Sequence, residues 1–217
     1  MSSQEWLRHI SIAFVLLPFI VGLLRFHYLK EDYKLLLGYL TASVLVETWG
    51  EITFFMNSKG NMIGYNIYTI LEVTLLGLLY VKFIKTKLFK RIVLISIVAF
   101  DLLATVRCLI DPHAYDDLSW SLSNALLITY VLLFFYDLLK QPEIAVLTKY
   151  PMFWISAGIL IFFSGTIFVF LFGKYIIADM DTMGDLWDMI KWLNIFYNIL
   201  LTIGLAQKKS VIKIQPN

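Results

Sequence analysis

Glu47, Glu72 and Asp101 each fall near the middle of a different long apolar stretch. Hydrocarbon is the worst solvent for a carboxylate, so an acid at that depth usually has a partner or a task. The tasks are few: binding a proton or cation, anchoring a ligand's polar group, or acting as an acid–base pair on an admitted substrate. Insertion scales charge about 2.5–3.5 kcal/mol for one central acid. Three together are a handicap unless they are neutralised, paired or used. The plainer alternative is that they form hydrogen-bonded links between helices, which are common in bundles and modest in energy.

The stretches that carry these acids are membrane spans by composition. The 217 residues are 59% hydrophobic and 16% charged, with mean hydropathy +0.76. A soluble domain of this length carries about 45–50% apolar and about 25% charged residues. A spanning helix needs about 20 mainly apolar residues, and seven segments qualify: about 10–28, 35–55, 62–82, 92–110, 118–139, 152–172 and 187–206. No period-two alternation supports an outer-membrane barrel. Arg8 and His9 before an apolar run mimic a signal peptide, but no small-residue cleavage site follows. The first segment is therefore read as a retained helix, bent at Pro18.

The basic residues set the orientation. With the N-terminus outside, the inner segments hold Arg25, Lys30, Lys34, Lys82, Lys85, Lys87, Lys90, Arg91, Lys140, Lys149, Lys208, Lys209 and Lys213. The outer side keeps Arg8, Lys59, Arg107, Lys174 and Lys191, so the balance of the 18 is 13 to 5. Asp111, Asp116 and Asp117 fall in one outer loop, and Asp179, Asp181 and Asp185 in another. The sequence thus predicts an all-α, polytopic membrane protein. It is a single seven-transmembrane-helix bundle over residues 1–217, N-terminus outside and C-terminus inside, in a bacterial cytoplasmic (inner) membrane. Trp6, Trp120, Trp187 and Trp192 mark its outer aromatic belt, and Tyr28, Tyr33, Tyr136, Tyr150 and Trp154 the inner one. The basic stretch from Lys82 to Arg91 suits anionic headgroups.

A rise of 1.5 Å per residue converts position into depth. Glu72 and Asp101 lie close to the midplane, and Glu47 about 3 Å outside it. Glu51, Asn66, Arg107 and Lys191 form a layer roughly 9 Å above, with Asn124 nearly level. Helical spacing then sorts the faces. Asn61, Tyr65, Tyr68, Thr69 and Glu72 share one face of the third segment, and Ser43, Glu47 and Glu51 one face of the second. Asp188, Lys191, Asn194, Asn198 and Thr202 share one face of the seventh. Asp101 shares its face with Thr105 and Cys108, while Arg107 points about 120° away and is not its partner. Polar stripes face inward, so segments two, three, four and seven are expected to converge on an outward-opening cavity. Its candidate ligand, proton or cation site comprises Glu47, Glu51, Asn66, Tyr68, Glu72, Asp101, Lys191, Asn194 and Asn198. Lys191 either snorkels to the headgroups or pairs with Glu51 or Asp188.

Other chemistry finds little support. His9, His27 and His113 all fall near interfaces or in loops, away from the acids, which disfavours a histidine-rich zinc hydrolase. His113 with Asp111, Asp116 and Asp117 reads as an acidic loop before it reads as a metal site. Lys191 is too near the outer end for a retinal Schiff base. One cysteine, Cys108, excludes an intrachain disulfide. No phosphate-binding loop or CxxC pair is present. No metal and no cofactor is therefore assigned, and the net charge of +2 gives no reason to expect a nucleic-acid partner.

Asn66-Ile67-Tyr68-Thr69-Ile70-Leu71-Glu72, opening the third segment, and Tyr150-Pro151-Met152-Phe153-Trp154-Ile155-Ser156-Ala157-Gly158, opening the sixth, carry a resemblance. From Asn66 through Phe172 the chain resembles a group of uncharacterised seven-helix membrane proteins of Bacteroidetes-type bacteria. That resemblance implies the seven-helix fold and no activity. Three functions stay open. The first is a sensor, receptor-like or accessory subunit that binds a small or lipid-like ligand and relays it to a separate cytoplasmic or membrane signalling partner. The second is a proton- or cation-coupled small-solute transporter using the mid-membrane carboxylates. The third is an intramembrane lipid-modifying enzyme. The bilayer itself is the first partner in all three.

Overall fold

Long apolar runs leave the backbone one economical way to satisfy its own hydrogen bonds within a single segment, the helix. The computed structural model describes residues 3–28, 31–56, 61–140, 146–171 and 180–207. Its helices are α1 (Ser3–Leu24), α2 (Glu31–Phe55), α3 (Asn61–Phe83), α4 (Lys87–Ile110), α5 (Asp117–Leu139), α6 (Pro151–Leu171) and α7 (Met180–Ala206). Six of the seven are long and apolar enough to cross a membrane. The exception is α2, whose apolar content is diluted by Glu47, Glu51 and small polar residues. Lys30, Lys59, Lys174, Asp179, Lys208, Lys209 and Lys213 lie outside the described residues.

Two boundaries differ from expectation. α1 starts at Ser3 rather than near residue 10 and continues through Pro18. α7 starts at Met180 rather than near 187. Both extensions are polar first turns, which hydropathy overlooks.

Helix neighbours define the architecture. α1 packs on α2 and α7, α7 on α6, α6 on α5, α5 on α3, and α3 on α2. Those contacts close a ring of six. α4 remains outside it, seated on α3 and more lightly on α5. Its faces suit the position. Val93, Ile97, Phe100 and Ala104 make one narrow buried stripe, whereas Val98 and Leu102 on other faces are each 68% exposed. Apolar side chains left open this way suit lipid.

Polar fasteners hold α4 along its length. At its N-terminal end, Asp137 of α5 accepts hydrogen bonds from the Lys85 and Thr86 amides (2.8 Å each) and the Thr86 hydroxyl (2.6 Å). Midway, Ser96 meets the Tyr130 hydroxyl at 2.8 Å, and Thr74 Oγ1 lies 2.8 Å from Asp101 Oδ2. At its C-terminal end, Arg107 Nε donates to Asp116 Oδ1 at 2.7 Å, and the same carboxylate caps α5 through the Ser119 amide. Arg107 thus has Asp116, not Asp101, for a partner.

The ring is filled at one end. Leu76, Leu79 and Tyr80 of α3, Leu127 and Phe134 of α5, Met152 and Ile155 of α6, and Leu201 of α7 are fully buried there. Arg25 closes this end by donating to the Leu205 and Gln207 carbonyls (2.7 and 3.0 Å), satisfying acceptors that the end of α7 leaves free. α6 and α7 approach closely through Gly204: a Cβ there would lie 3.0 Å from the Pro151 carbonyl oxygen and 2.7 Å from Ile155 Cγ1. Small residues at such contacts let backbones meet in a membrane bundle.

Candidate functional site

The opposite half of the ring, where α1 begins, encloses a cavity of about 590 Å³. Ligand sites typically occupy ≈ 300–1,000 Å³. α2 contributes a stripe at i, i+4, i+8 and i+12, namely Tyr39, Ser43, Glu47 and Glu51, and α3 contributes Tyr65, Tyr68, Thr69 and Glu72. α7 supplies Lys191, Asn194, Tyr197 and Asn198, and α1 supplies Arg8 and Ser11. The remaining wall is largely aromatic: Trp120 from α5, then Phe162, Phe163 and Phe170 from α6. The floor lies at Glu72. The next residues on that face of α3, Leu76, Leu79 and Tyr80, are sealed in the packed half.

At the mouth, Arg8 grips Glu51 with two hydrogen bonds of 2.9 and 2.7 Å. The fork-to-carboxylate match is the strong geometry for an ion pair. Lys191 Nζ donates to Asp188 Oδ1 at 2.8 Å, one turn away on α7. Of the partners open to Lys191, the structure selects Asp188, because Glu51 is taken by Arg8. Tyr65 stands between α2 and α3, and its hydroxyl occupies the room left by Gly50. A Cβ on residue 50 would come within 2.5 Å of that oxygen. Tyr115, in the α4–α5 connection, stacks edge-on against Trp120 at 4.6 Å. Burial, reinforced by the Asp117 charge, pushes its phenol up to about 12.

The floor is a chain of hydroxyls ending in a carboxylate. Tyr197 donates to Tyr39 at 3.0 Å, and Tyr39 donates to Glu72 Oε1 at 3.4 Å. Tyr68 meets Ser43 at 2.8 Å, its ring 6.2 Å from that of Tyr39. On the α7 side, Asn198 Nδ2 donates to the Asn194 carbonyl and Oδ1 (2.8 and 3.0 Å). Asn194 Nδ2 in turn donates to Ser11 Oγ at 2.9 Å. Glu47, half-buried in the wall between mouth and floor, is different. No hydrogen bond or ion pair reaches it among the described residues.

Seven of the nine residues expected from the sequence line this one space: Glu47, Glu51, Tyr68, Glu72, Lys191, Asn194 and Asn198. Two do not. Asp101 sits in the α3–α4 seam, because α4 lies outside the ring; its Oδ2 accepts from Thr74, and its buried Oδ1 has no partner among the described residues. Asn66 is a loop fastener: its Nδ2 donates to the Pro112 and Ala114 carbonyls (3.3 Å each), and its Oδ1 accepts from Trp120 Nε1 at 3.2 Å. The expected convergence of segments two, three, four and seven is therefore corrected. Segment four is replaced by α1, α5 and α6.

Arg8, Ser11, Tyr39, Tyr65 and Tyr197 were not among the expected site residues. Tyr39 is legible in the sequence, four residues before Ser43 on the same face of α2. Ser11 and Arg8, three apart in α1, share one face with Val15. Asn124, expected level with the upper layer, lines the cavity and meets Thr166 at 3.0 Å. Among the described residues no cluster of three or more His, Cys, Asp or Glu side chains forms a metal site. Comparison with family models, curated proteins and solved structures yields no match to this chain.

Proposed function

We propose that this chain is a receptor-like sensor or accessory subunit that binds a small or lipid-like ligand in the cavity. The carrying observation is the cavity's form: ligand-sized, walled by aromatic and apolar side chains with a few convergent polar groups, and blind at Glu72. α2 serves as the seventh span. Its 25 residues reach about 37 Å, and it is flanked in the ring by α1 and α3. The cavity end faces outward in a bacterial inner membrane, and the basic end, with exposed Lys82, Lys85, Lys87 and Arg91, faces the cytoplasm and a signalling partner. The resemblance of residues Asn66 through Phe172 to the seven-helix Bacteroidetes-type group accords with this topology.

The hydroxyl chain from Tyr197 through Tyr39 to Glu72 favours one second reading, a proton- or cation-coupled transporter. The packed half below Glu72 weighs against it, since a carrier must open there in turn. Thermal stabilisation of the purified protein by members of a metabolite and lipid panel, weakened in Glu72→Gln, is the expected result for a sensor. No stabilisation across the panel would count against it. Solute-driven proton flux in liposomes, lost in Glu72→Gln, would favour the transporter.

A further inference from the structure

The cavity's charges do not cancel. Arg8 is committed to Glu51 by its two-pronged contact, and Lys191 to Asp188. That leaves Glu47, which among the described residues makes no hydrogen bond or ion pair and feels Arg8 only at a distance, and Glu72, whose partners there are the phenols of Tyr39, at 3.4 Å, and Tyr68, with no cation in contact. Glu72 is 8% exposed, and both acids line the open space. Carboxylates held away from bulk water without a cation are costly. A cation supplied by the ligand relieves that cost.

The opposing surface fits such a ligand. Phe162, Phe163 and Trp120 present rings to the cavity, and aromatic faces attract organic cations as well as burying apolar carbon. A hard metal ion asks instead for six or more oxygen ligands at close range. Resting on the binding reading above, we propose that the cavity takes a small organic cation: a protonated amine on an apolar body, its ammonium held by Glu47 and Glu72. The amine is either a free solute or the ammonium headgroup of a lipid.

Tryptophan fluorescence of the full chain in dodecyl maltoside, a neutral and amine-free detergent, tests this, since Trp120 and Trp187 line the cavity. The probes share a phenylalkyl body: phenethylammonium, neutral 2-phenylethanol and anionic 3-phenylpropionate. The cation should bind about tenfold or more tightly than the alcohol, and Glu47→Gln and Glu72→Gln should each lose about tenfold for the cation alone. Undiminished binding of the alcohol by these variants shows that the cavity is still folded. Asp101→Asn should bind the cation as the parent does. In a second arm, added phosphatidylethanolamine weakens phenethylammonium binding competitively if a lipid headgroup is the source, and leaves it unchanged if the source is a free amine. Equal or tighter binding of the alcohol or the anion would overturn the cation assignment while leaving a binding cavity. No binding of any probe at millimolar concentration would overturn both.

Discussion

The Arg8–Glu51 pair fastens α1 to α2 at the mouth of the cavity, and breaking it has a calculable effect. The side chains are 26% and 23% exposed, between the surface and interior cases. Exposed pairs are worth about 0.2–1 kcal/mol, and stranding one partner of a fully buried pair costs about 3–5 kcal/mol. Two short charge-assisted hydrogen bonds place this pair between those limits, with a coupling of about 2 kcal/mol. The assay is a double-mutant cycle of the parent, Arg8→Met, Glu51→Gln and the double variant, unfolded thermally in neutral detergent. Arg8→Met should lose about 2 kcal/mol, or roughly 4–8 °C for a chain of this size. The double variant should be no worse than the worse single variant. Half-burial also limits screening, so moderate salt should change the coupling little. Additive losses, with coupling under about 0.5 kcal/mol, would refute the claim that this pair fastens α1 to α2.

Three further outcomes follow from other parts of the molecule. Asp137→Ala strands two amides and a hydroxyl at the α3–α4 connection; a loss of about 2 kcal/mol is expected, with amide exchange at Lys85 and Thr86 accelerated, and unchanged exchange would contradict the role. Gly204→Ala drives a Cβ toward the Pro151 carbonyl and should cost about 1–3 kcal/mol in thermal unfolding, whereas a neutral result would mean that α6 and α7 separate freely. The Tyr115 phenol, raised to about 12 when folded against about 10 unfolded, favours the protonated state of the folded chain. Its contribution is whole below pH 10 and lost as pH rises toward 12. Tyr115→Phe should therefore flatten the alkaline limb of the stability profile, and identical limbs would reject the shift.

The helices were legible from the sequence because apolar length is a local property. Six of the seven expected segments have the apolar length that a crossing requires. Face arithmetic brought Glu47, Glu51, Tyr68 and Glu72 to one surface for the same reason: spacing within a helix is fixed by its geometry. What failed was neighbour choice. Asp101 has the depth of Glu72, yet nothing in α4's own residues states that six other helices close a ring without it. Depth also set Asn66 beside Glu51, although the amide reaches sideways to Pro112 and Ala114. Arg8 enters the sequence reading only as an outer basic residue, because hydropathy starts α1 too late, past the turn that carries it.

Cysteine accessibility tests the central claim, a cavity walled by six helices and open at the end where α1 begins. In a Cys108→Ser background, single cysteines replace Glu47, Asn194 and Asp101 in turn. A small, membrane-impermeant cationic thiosulfonate is added to right-side-out vesicles. Positions 47 and 194 should react, phenethylammonium should protect position 194, where both acids are kept, and position 101 should stay unmodified in the α3–α4 seam. Modification of 101 at the rate of 47, or silence at both 47 and 194, would contradict the account.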